Sequence, residues 1–126
     1  MATVEITSFG YLHGQQPSAH IVLDLRTHFR DPHVSPELRH MTAEDEPVRT
    51  AVLNTAGIAT LVAATAAAVT AFAAGPSAGT VKVVVGCAGG RHRAATVAMA
   101  LADTLTNTGH QVTLSHRDLD KPVVHR

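Results

Sequence analysis

One abrupt change in the sequence, from an apolar run into glycines, constrains the fold more than any other feature. The segment from Val83 to Ala102 reads VVVGCAGGRHRAATVAMALA. Consecutive valines are typical of a strand buried in a sheet, and the alanine-rich continuation is typical of a helix. A buried strand that passes directly into a helix is a basic unit of α/β folds.

Strand-like and helix-like segments alternate along the whole chain. Strands are predicted over residues 3–9, 20–26, 80–86 and 110–119, and helices over 46–54, 55–74 and about 92–108. Asn54 or Thr55 is expected to cap the second helix, and Gly109 to end the third. This order predicts one α/β domain over residues 1–126, a small three-layer sandwich with a mainly parallel sheet of about four strands.

The segment from Thr27 to Pro47 shows no sustained periodicity and contains several prolines. We interpret it as a long ordered loop with one helical turn near SPEL, residues 35–38. Loops of this length in small domains are usually functional or disordered.

The glycine turn has the composition of an anion site. The first N–H groups of a helix lack partners and its dipole is positive there, so a strand-to-helix turn attracts phosphate. Gly86, Gly89 and Gly90 would permit unusual backbone angles, and Arg93 would hold two oxygens at once. Alternatively, the glycines only allow close packing of strand and helix.

The ends of two other predicted strands strengthen the anion-site hypothesis. Ligands of open α/β sheets bind beyond the carboxyl ends of the strands. Asp24 and Arg26 follow the second predicted strand, while His116 and Arg117 follow the last one. These four side chains are therefore predicted to share one sheet edge with the turn.

A second hypothesis is catalytic. Cys87 and Arg93 have the Cys-x5-Arg spacing of cysteine-dependent phosphatases, in which a thiolate attacks phosphorus and the arginine holds the oxygens. However, Ala94 stands where those enzymes usually have Ser or Thr, and Gly86 replaces their usual His. The run contains neither the Gly-Lys-Ser/Thr of nucleotide-hydrolysing loops nor a dinucleotide-binding Gly-x-Gly-x-x-Gly.

Charge and composition restrict the other classes. Ten Lys and Arg balance ten Asp and Glu, which gives no general attraction to nucleic acid or anionic membrane. One cysteine and an N-terminus unlike a signal peptide predict a cytoplasmic protein. The uncharged segment 55–74 is mostly Ala and Thr, so a buried, closely packed helix is favoured over a membrane span. His28, His33 and His40 lack a metal-site pattern, and no metal or cofactor is expected.

Four separated motifs give the chain a resemblance to a known family. SFGYLHG, VLDLRTHFRDPHVSPELR, GCAGGRHR and HRDL resemble, in order and spacing, the C-terminal domain of the RNase adapter protein RapZ and its relatives. The likeness extends from about Ile6 to Asp120. The resemblance implies part of a sugar-phosphate kinase fold, and a regulatory domain that binds a phosphorylated amino sugar such as glucosamine 6-phosphate.

The resemblance also implies roles for single residues. The loop and its arginine would hold the phosphate, His33 would contact the ligand, and residues at two strand ends would close the cleft. The candidate ligand-binding residues are Asp24, Arg26, His33, Cys87, Ala88, Gly89, Gly90, His92, Arg93, His116 and Arg117.

The chain departs from the family pattern in the loop. Ala88 stands where the family commonly has Thr, and Ala94 where it has Ser, so two hydroxyls that can bond phosphate are absent. No counterpart of the relatives' N-terminal nucleotide-binding domain is matched, so we expect a stand-alone domain without ATP hydrolysis. A regulatory protein partner and a homo-oligomer are possible assemblies, and an RNA-binding adapter is the third functional hypothesis.

Overall fold

The computed structural model describes residues 3–77 and 79–125. The strands are β1 (Thr3–Gly10), β2 (Ile21–Asp24), β3 (Val81–Cys87) and β4 (Gln111–His116). The helices are α1 (Glu46–Leu53), α2 (Ile58–Ala73) and α3 (Arg93–Asn107), with short 3-10 turns at Tyr11–His13 and Pro32–Val34. Every predicted strand and helix is present, which confirms the α/β class.

The four strands form one parallel sheet in the order β2-β3-β1-β4. β1 and β3 are central, so Gly10 pairs with Cys87 in register, and Asp24 of β2 pairs with Gly86. The carboxyl ends of all four strands therefore lie at one edge of the sheet, as predicted.

All three helices pack on one face of the sheet. Val4 and Ile6 of β1 and Val83 and Val85 of β3 are fully buried in one core with residues of the three helices. The connections from β2 to β3 and from β3 to β4 run in the same direction along the sheet order. Because crossovers between parallel strands are right-handed, the helices of both connections lie on the same face. The β1 to β2 connection runs the other way along the sheet, so a right-handed path takes residues 11–20 to the side opposite the helices.

The structure corrects the prediction for the alanine-rich helix. Only four residues of α2 are buried, and they are Ile58, Val62, Thr65 and Val69. Most of its alanines are exposed and Phe72 is 51% exposed, so α2 is a surface helix with one buried face. Its N-cap is Gly57 at φ 93°, and neither Asn54 nor Thr55 caps it.

No single helix in residues 3–77 and 79–125 is long and apolar enough to cross a membrane. α1 and α2 reach that length and composition only when taken together, and the pair is bent by 83°.

The loop and the last helix agree with the sequence predictions. The Arg39 N–H donates to the Ser35 carbonyl at 3.0 Å, which closes one helical turn in SPEL. α3 ends at Asn107, and Gly109 adopts φ 95° where the chain leaves it. This left-handed conformation favours glycine and terminates the helix.

Candidate functional site

The turn from Cys87 to Arg93 is pressed against the end of β1. A Cβ placed on Gly10 would lie 2.4 Å from the Gly89 carbonyl carbon, and one on Gly90 would lie 2.7 Å from the Gly10 nitrogen. The backbones of β1 and the turn therefore touch here, and neither Gly10 nor Gly90 has room for a side chain. Gly10 is thus part of the site architecture, which the sequence analysis missed because its partner lies some 80 residues along the chain.

The three glycines of the turn have different roles. Gly90 adopts φ 78°, so the prediction of an unusual backbone angle holds for it. Gly86 has no such angle, but a Cβ there would lie 2.4 Å from Phe9 Cζ. Gly89 has no unusual angle, and nothing lies within 4 Å of a Cβ built on it, so only its backbone takes part in the close approach to Gly10. The expectation of unusual angles is therefore wrong for Gly86 and Gly89.

Cys87 lies at the start of the turn and is only 2% exposed. Its Sγ accepts hydrogen bonds from the N–H groups of Gly90 at 3.3 Å and Ala94 at 3.4 Å. The Cys87 side chain therefore stabilises the conformation of the turn through hydrogen bonds to its backbone. The Ala88 carbonyl accepts the Leu12 N–H at 3.0 Å, which ties the turn to the first 3-10 turn.

A cleft opens beside this turn. It is lined by four of the predicted residues, which are His33, Cys87, Gly89 and His92. The second 3-10 turn carries His33 to the cleft from the long loop. That turn is fixed by Asp31, whose Oδ1 accepts the His33 N–H at 3.0 Å. The predicted meeting of His33 with the glycine turn is thus observed.

Six further residues line the cleft and were not predicted. They are Leu12, Asp31, Arg39, Arg91, Val123 and Val124. Two of them are arginines. Arg39 Nε donates to the His33 carbonyl at 2.9 Å, and Arg91 donates to the carbonyls of His40 and Lys121 at 2.8 and 2.9 Å. Arg39 belongs to the motif SPELR and Arg91 to the motif GGRHR, so the motifs that carry the family resemblance could have indicated both arginines as site residues.

Arg93 occupies a different position from the one expected. Its Nη1 donates to the carbonyls of Leu25, Arg26 and Phe29 at 2.9 to 3.2 Å, and its Nη2 pairs with Asp31 Oδ2 at 3.0 Å. The side chain is 3% exposed and does not line the cleft. In this structure the guanidinium fastens residues 25–31 to the glycine turn.

Asp24 and Arg26 lie at the same sheet edge but outside the cleft lining. Arg26 donates two hydrogen bonds to the Asp24 carboxylate, and its guanidinium stacks 3.6 Å from the centre of the Tyr11 ring. The hydrogen bond from Arg26 lowers the pKa of Asp24, and the same bond raises the pKa of Arg26. This exposed pair stabilises its own loop.

His116 and Arg117 also lie away from the cleft lining. His116 Nδ1 and Ser8 Oγ are hydrogen-bonded at 2.6 Å, and burial lowers the pKa of His116. Arg117 pairs with Asp118, a fully buried carboxylate that also accepts the Gly10 N–H at 2.7 Å.

Asp118 is the anchor of this part of the sheet edge. Burial alone would raise the pKa of Asp118, but hydrogen bonds from Arg117, Lys121 and the Gly10 N–H lower it to about 2. The carboxylate therefore stays charged at neutral pH and holds the ends of β1 and β4 together. The HRDL motif thus has a structural role through its aspartate.

His92 is nearly fully buried although one side of it lines the cleft. Its Nε2–H donates to the Met41 carbonyl at 2.8 Å. Burial lowers the pKa of His92, because the charged ring would lose its hydration. The ring is therefore a neutral donor that ties the long loop to α3.

No cluster of three or more His, Cys, Asp or Glu that could hold a metal ion occurs within residues 3–77 and 79–125. The charged groups at the cleft are Arg39 and Arg91 together with Asp31, and Asp31 is paired with Arg93. The cleft therefore has an excess of positive charge next to a helix N-terminus. That combination suits an anion.

Comparison with known proteins agrees with the resemblance seen in the motifs. Residues 2–120 match the family described as the RapZ C-terminal domain. A nucleotide-binding protein of Salinispora tropica is 39% identical over 121 residues, and one of Thermobifida fusca is 36% identical over 119. These alignments cover 94% and 92% of this chain, but only 40% of either relative.

A nucleotide-binding protein of Heliobacterium modesticaldum is 32% identical over 123 residues, again covering 40% of its own length. The chain thus spans well under half of these relatives. The match to the domain, by contrast, is nearly complete, and the motifs that build the cleft lie within it. The chain belongs to the RapZ C-terminal domain family.

Proposed function

We propose that this domain is a regulatory module that binds a small phosphorylated amino sugar of the glucosamine 6-phosphate class. The observation that carries the proposal is the cleft, where Arg39 and Arg91 lie beside the turn that begins α3. Arg91 donates from both terminal nitrogens to the carbonyls of Lys121 and His40, so it contributes positive charge. Arg39, by contrast, donates through its Nε to the His33 carbonyl. The terminal nitrogens of Arg39 can form the fork that matches a phosphate, and the positive end of the α3 dipole lies beside them. His33 supplies a further polar group at the same cleft.

The amino group of the ligand needs an acceptor. Asp24 and Asp118, at the ends of β2 and β4, both lie outside the cleft lining. Asp31 is the carboxylate that lines the cleft; it pairs with Arg93 and accepts the His33 N–H, and its side chain is 22% exposed. We therefore assign the recognition of the amino group to Asp31 in this proposal.

Binding without turnover is the role that we propose. A Cys-x5-Arg phosphatase needs its arginine to hold the oxygens of the phosphate during attack by the thiolate. Here three carbonyls and Asp31 occupy Nη1 and Nη2 of Arg93. This arrangement supports a structural role for Arg93 and favours a sensor over an enzyme.

The relatives' name, nucleotide-binding protein, describes chains of which this one covers two fifths. We propose no nucleotide chemistry for this domain. A regulatory protein partner, a homo-oligomer and a cytoplasmic location belong to the proposal as a sensor. RNA binding has less support, since the chain carries no net charge. If the domain bound RNA, its association with RNA would depend strongly on the salt concentration.

Titration calorimetry with glucosamine 6-phosphate, glucose 6-phosphate, inorganic phosphate and a nucleotide sugar tests the proposal. The informative variant is His33→Ala, because His33 lines the cleft and Arg93 instead anchors a loop. The matched control is His28→Ala, an exposed histidine of the same loop. We expect preference for glucosamine 6-phosphate and about a tenfold loss in His33→Ala, equal to about 1.4 kcal/mol. Binding of none of the four, or affinity unaffected by His33, would overturn the proposal.

A further inference from the structure

The last described residues of the chain, 121–125, run beside the cleft described above; we name them the C-terminal strap. Val123 and Val124 of the strap line the cleft and are half-buried there. The strap has neither helix nor strand structure. It therefore forms part of the cleft wall without belonging to the sheet or to a helix.

Two polar contacts hold the beginning of the strap. Arg91 Nη1 donates to the Lys121 carbonyl at 2.9 Å, and Lys121 Nζ pairs with Asp118 Oδ1 at 2.7 Å. Arg91 Nη2 also donates to the His40 carbonyl at 2.8 Å. One side chain of the glycine turn thus holds both walls of the cleft, the long loop and the strap.

The closed cleft is too small for the proposed ligand. Its cavity volume is about 10 Å³ measured to the centre of a water-sized sphere. That is room for about one water molecule, and a hexose phosphate is many times larger. Binding at this place therefore requires one wall to move.

A larger groove adjoins the cleft, and the strap lines both. Its volume on the same measure is about 480 Å³, and it shares His33, Arg39 and Val123 with the cleft. His40 and His125 also line it. Val123 of the strap, together with His33 and Arg39, thus separates a cleft that has room for about one water molecule from a groove that has room for a sugar.

The strap lies outside the part of the chain that matches the family. The family match ends at residue 120, and the strap begins at Lys121. Its two valines are held by packing, and the polar contacts lie at Lys121. Residues 123–125 can therefore move while the anchor at Lys121 stays in place.

We propose that the cleft and the groove are one ligand-binding site, which the strap divides and closes, and that the ligand displaces Val123 and Val124 when it binds. This inference rests on the proposed function, since it takes a phosphorylated sugar as the ligand. Only the fraction of molecules with an open strap binds, so a closed strap weakens the apparent affinity.

The first test is the affinity of the full chain for glucosamine 6-phosphate in the double variant Val123→Ala/Val124→Ala. These changes remove apolar packing and leave the contacts at Lys121 in place. We expect three- to tenfold tighter binding, because the strap opens more readily. The matched control is Val22→Ala, a partly exposed valine on the other face of the sheet, with unchanged affinity. Equal or weaker binding by the double variant would overturn the inference.

The second test is hydrogen exchange at the amides of residues 123–125, with and without glucosamine 6-phosphate. Displacement predicts faster exchange in the bound protein, while unchanged or slower exchange contradicts it. If the wild type binds but neither measurement changes, the strap inference fails and the proposed function stands. If neither wild type nor double variant binds glucosamine 6-phosphate or inorganic phosphate, the proposed function has failed and the strap inference with it.

Discussion

Arg93 and Asp31 form an ion pair of 3.0 Å that joins the start of α3 to the long loop. The arginine is 3% exposed and the aspartate 22%, so water screens the pair only weakly. Three backbone carbonyls accept hydrogen bonds from the same guanidinium. The residue that the sequence predicts as a phosphate clamp thus holds together the segments that form the cleft.

Replacement of Arg93 by alanine should reduce stability first and binding second. Breaking a buried ion pair on one side leaves its partner uncompensated, at a cost of about 3 kcal/mol. We expect a melting temperature about 10 °C lower, measured by circular dichroism. Arg26→Ala is the control, because the Arg26–Asp24 pair is exposed and its loss should hardly change the melting temperature. A stable Arg93→Ala protein that has lost ligand binding would restore the phosphate-clamp hypothesis.

Substitution of Gly10 by alanine should distort the glycine turn. A Cβ at residue 10 would lie 2.4 to 2.7 Å from backbone atoms of Gly89 and Gly90, which cannot rotate away. We expect a loss of about 2 kcal/mol in the free energy of unfolding and at least tenfold weaker ligand binding. Urea unfolding and calorimetry measure the two effects. The control is Gly79→Ala, since nothing lies within 4 Å of a Cβ there, and equal behaviour of the two variants would contradict the close approach.

The acid stability of the protein should depend on Asp118. Its pKa is about 2 in the folded protein against an ordinary 3.8, so its contribution is complete above about pH 5 and is lost progressively as the pH falls to about 1. The difference corresponds to about 2 kcal/mol. Asp118→Asn should therefore be less stable than wild type at pH 7, and urea unfolding should show this gap closing between about pH 5 and 1. A gap that stays constant over this range would refute the assignment, and exposed Asp120→Asn is the control.

The sequence was sufficient for the architecture because its signals are local. The apolar β3 run, the glycine turn and Gly109 each act within a few residues, and they correctly predicted the strands, the helices and the sheet edge. The prediction that α2 is a buried helix was wrong, because Ala and Thr are compatible with either a buried or an exposed face.

The candidate site was predicted only in part, because its geometry depends on contacts between distant segments. His33 reaches the glycine turn as expected. Arg93 turns to the carbonyls of residues 25–29, however, and Asp24 and Asp118 are held by neighbouring arginines. Sequence spacing places a residue at a sheet edge, but the face it turns to depends on which carbonyls and charges other loops bring there.

Replacement of Cys87 by serine separates a sensor from a phosphatase. Cys87 Sγ accepts two backbone N–H groups, and a serine hydroxyl can accept hydrogen bonds although its oxygen is smaller. A sensor should keep glucosamine 6-phosphate binding within about fivefold, or about 1 kcal/mol, and neither wild type nor variant should release phosphate from it. Calorimetry and a phosphate-release assay measure these two properties. Phosphate release by the wild type that disappears in Cys87→Ser would instead establish the thiol as a nucleophile, since serine is not ionised at neutral pH and attacks phosphorus far more slowly than a thiolate.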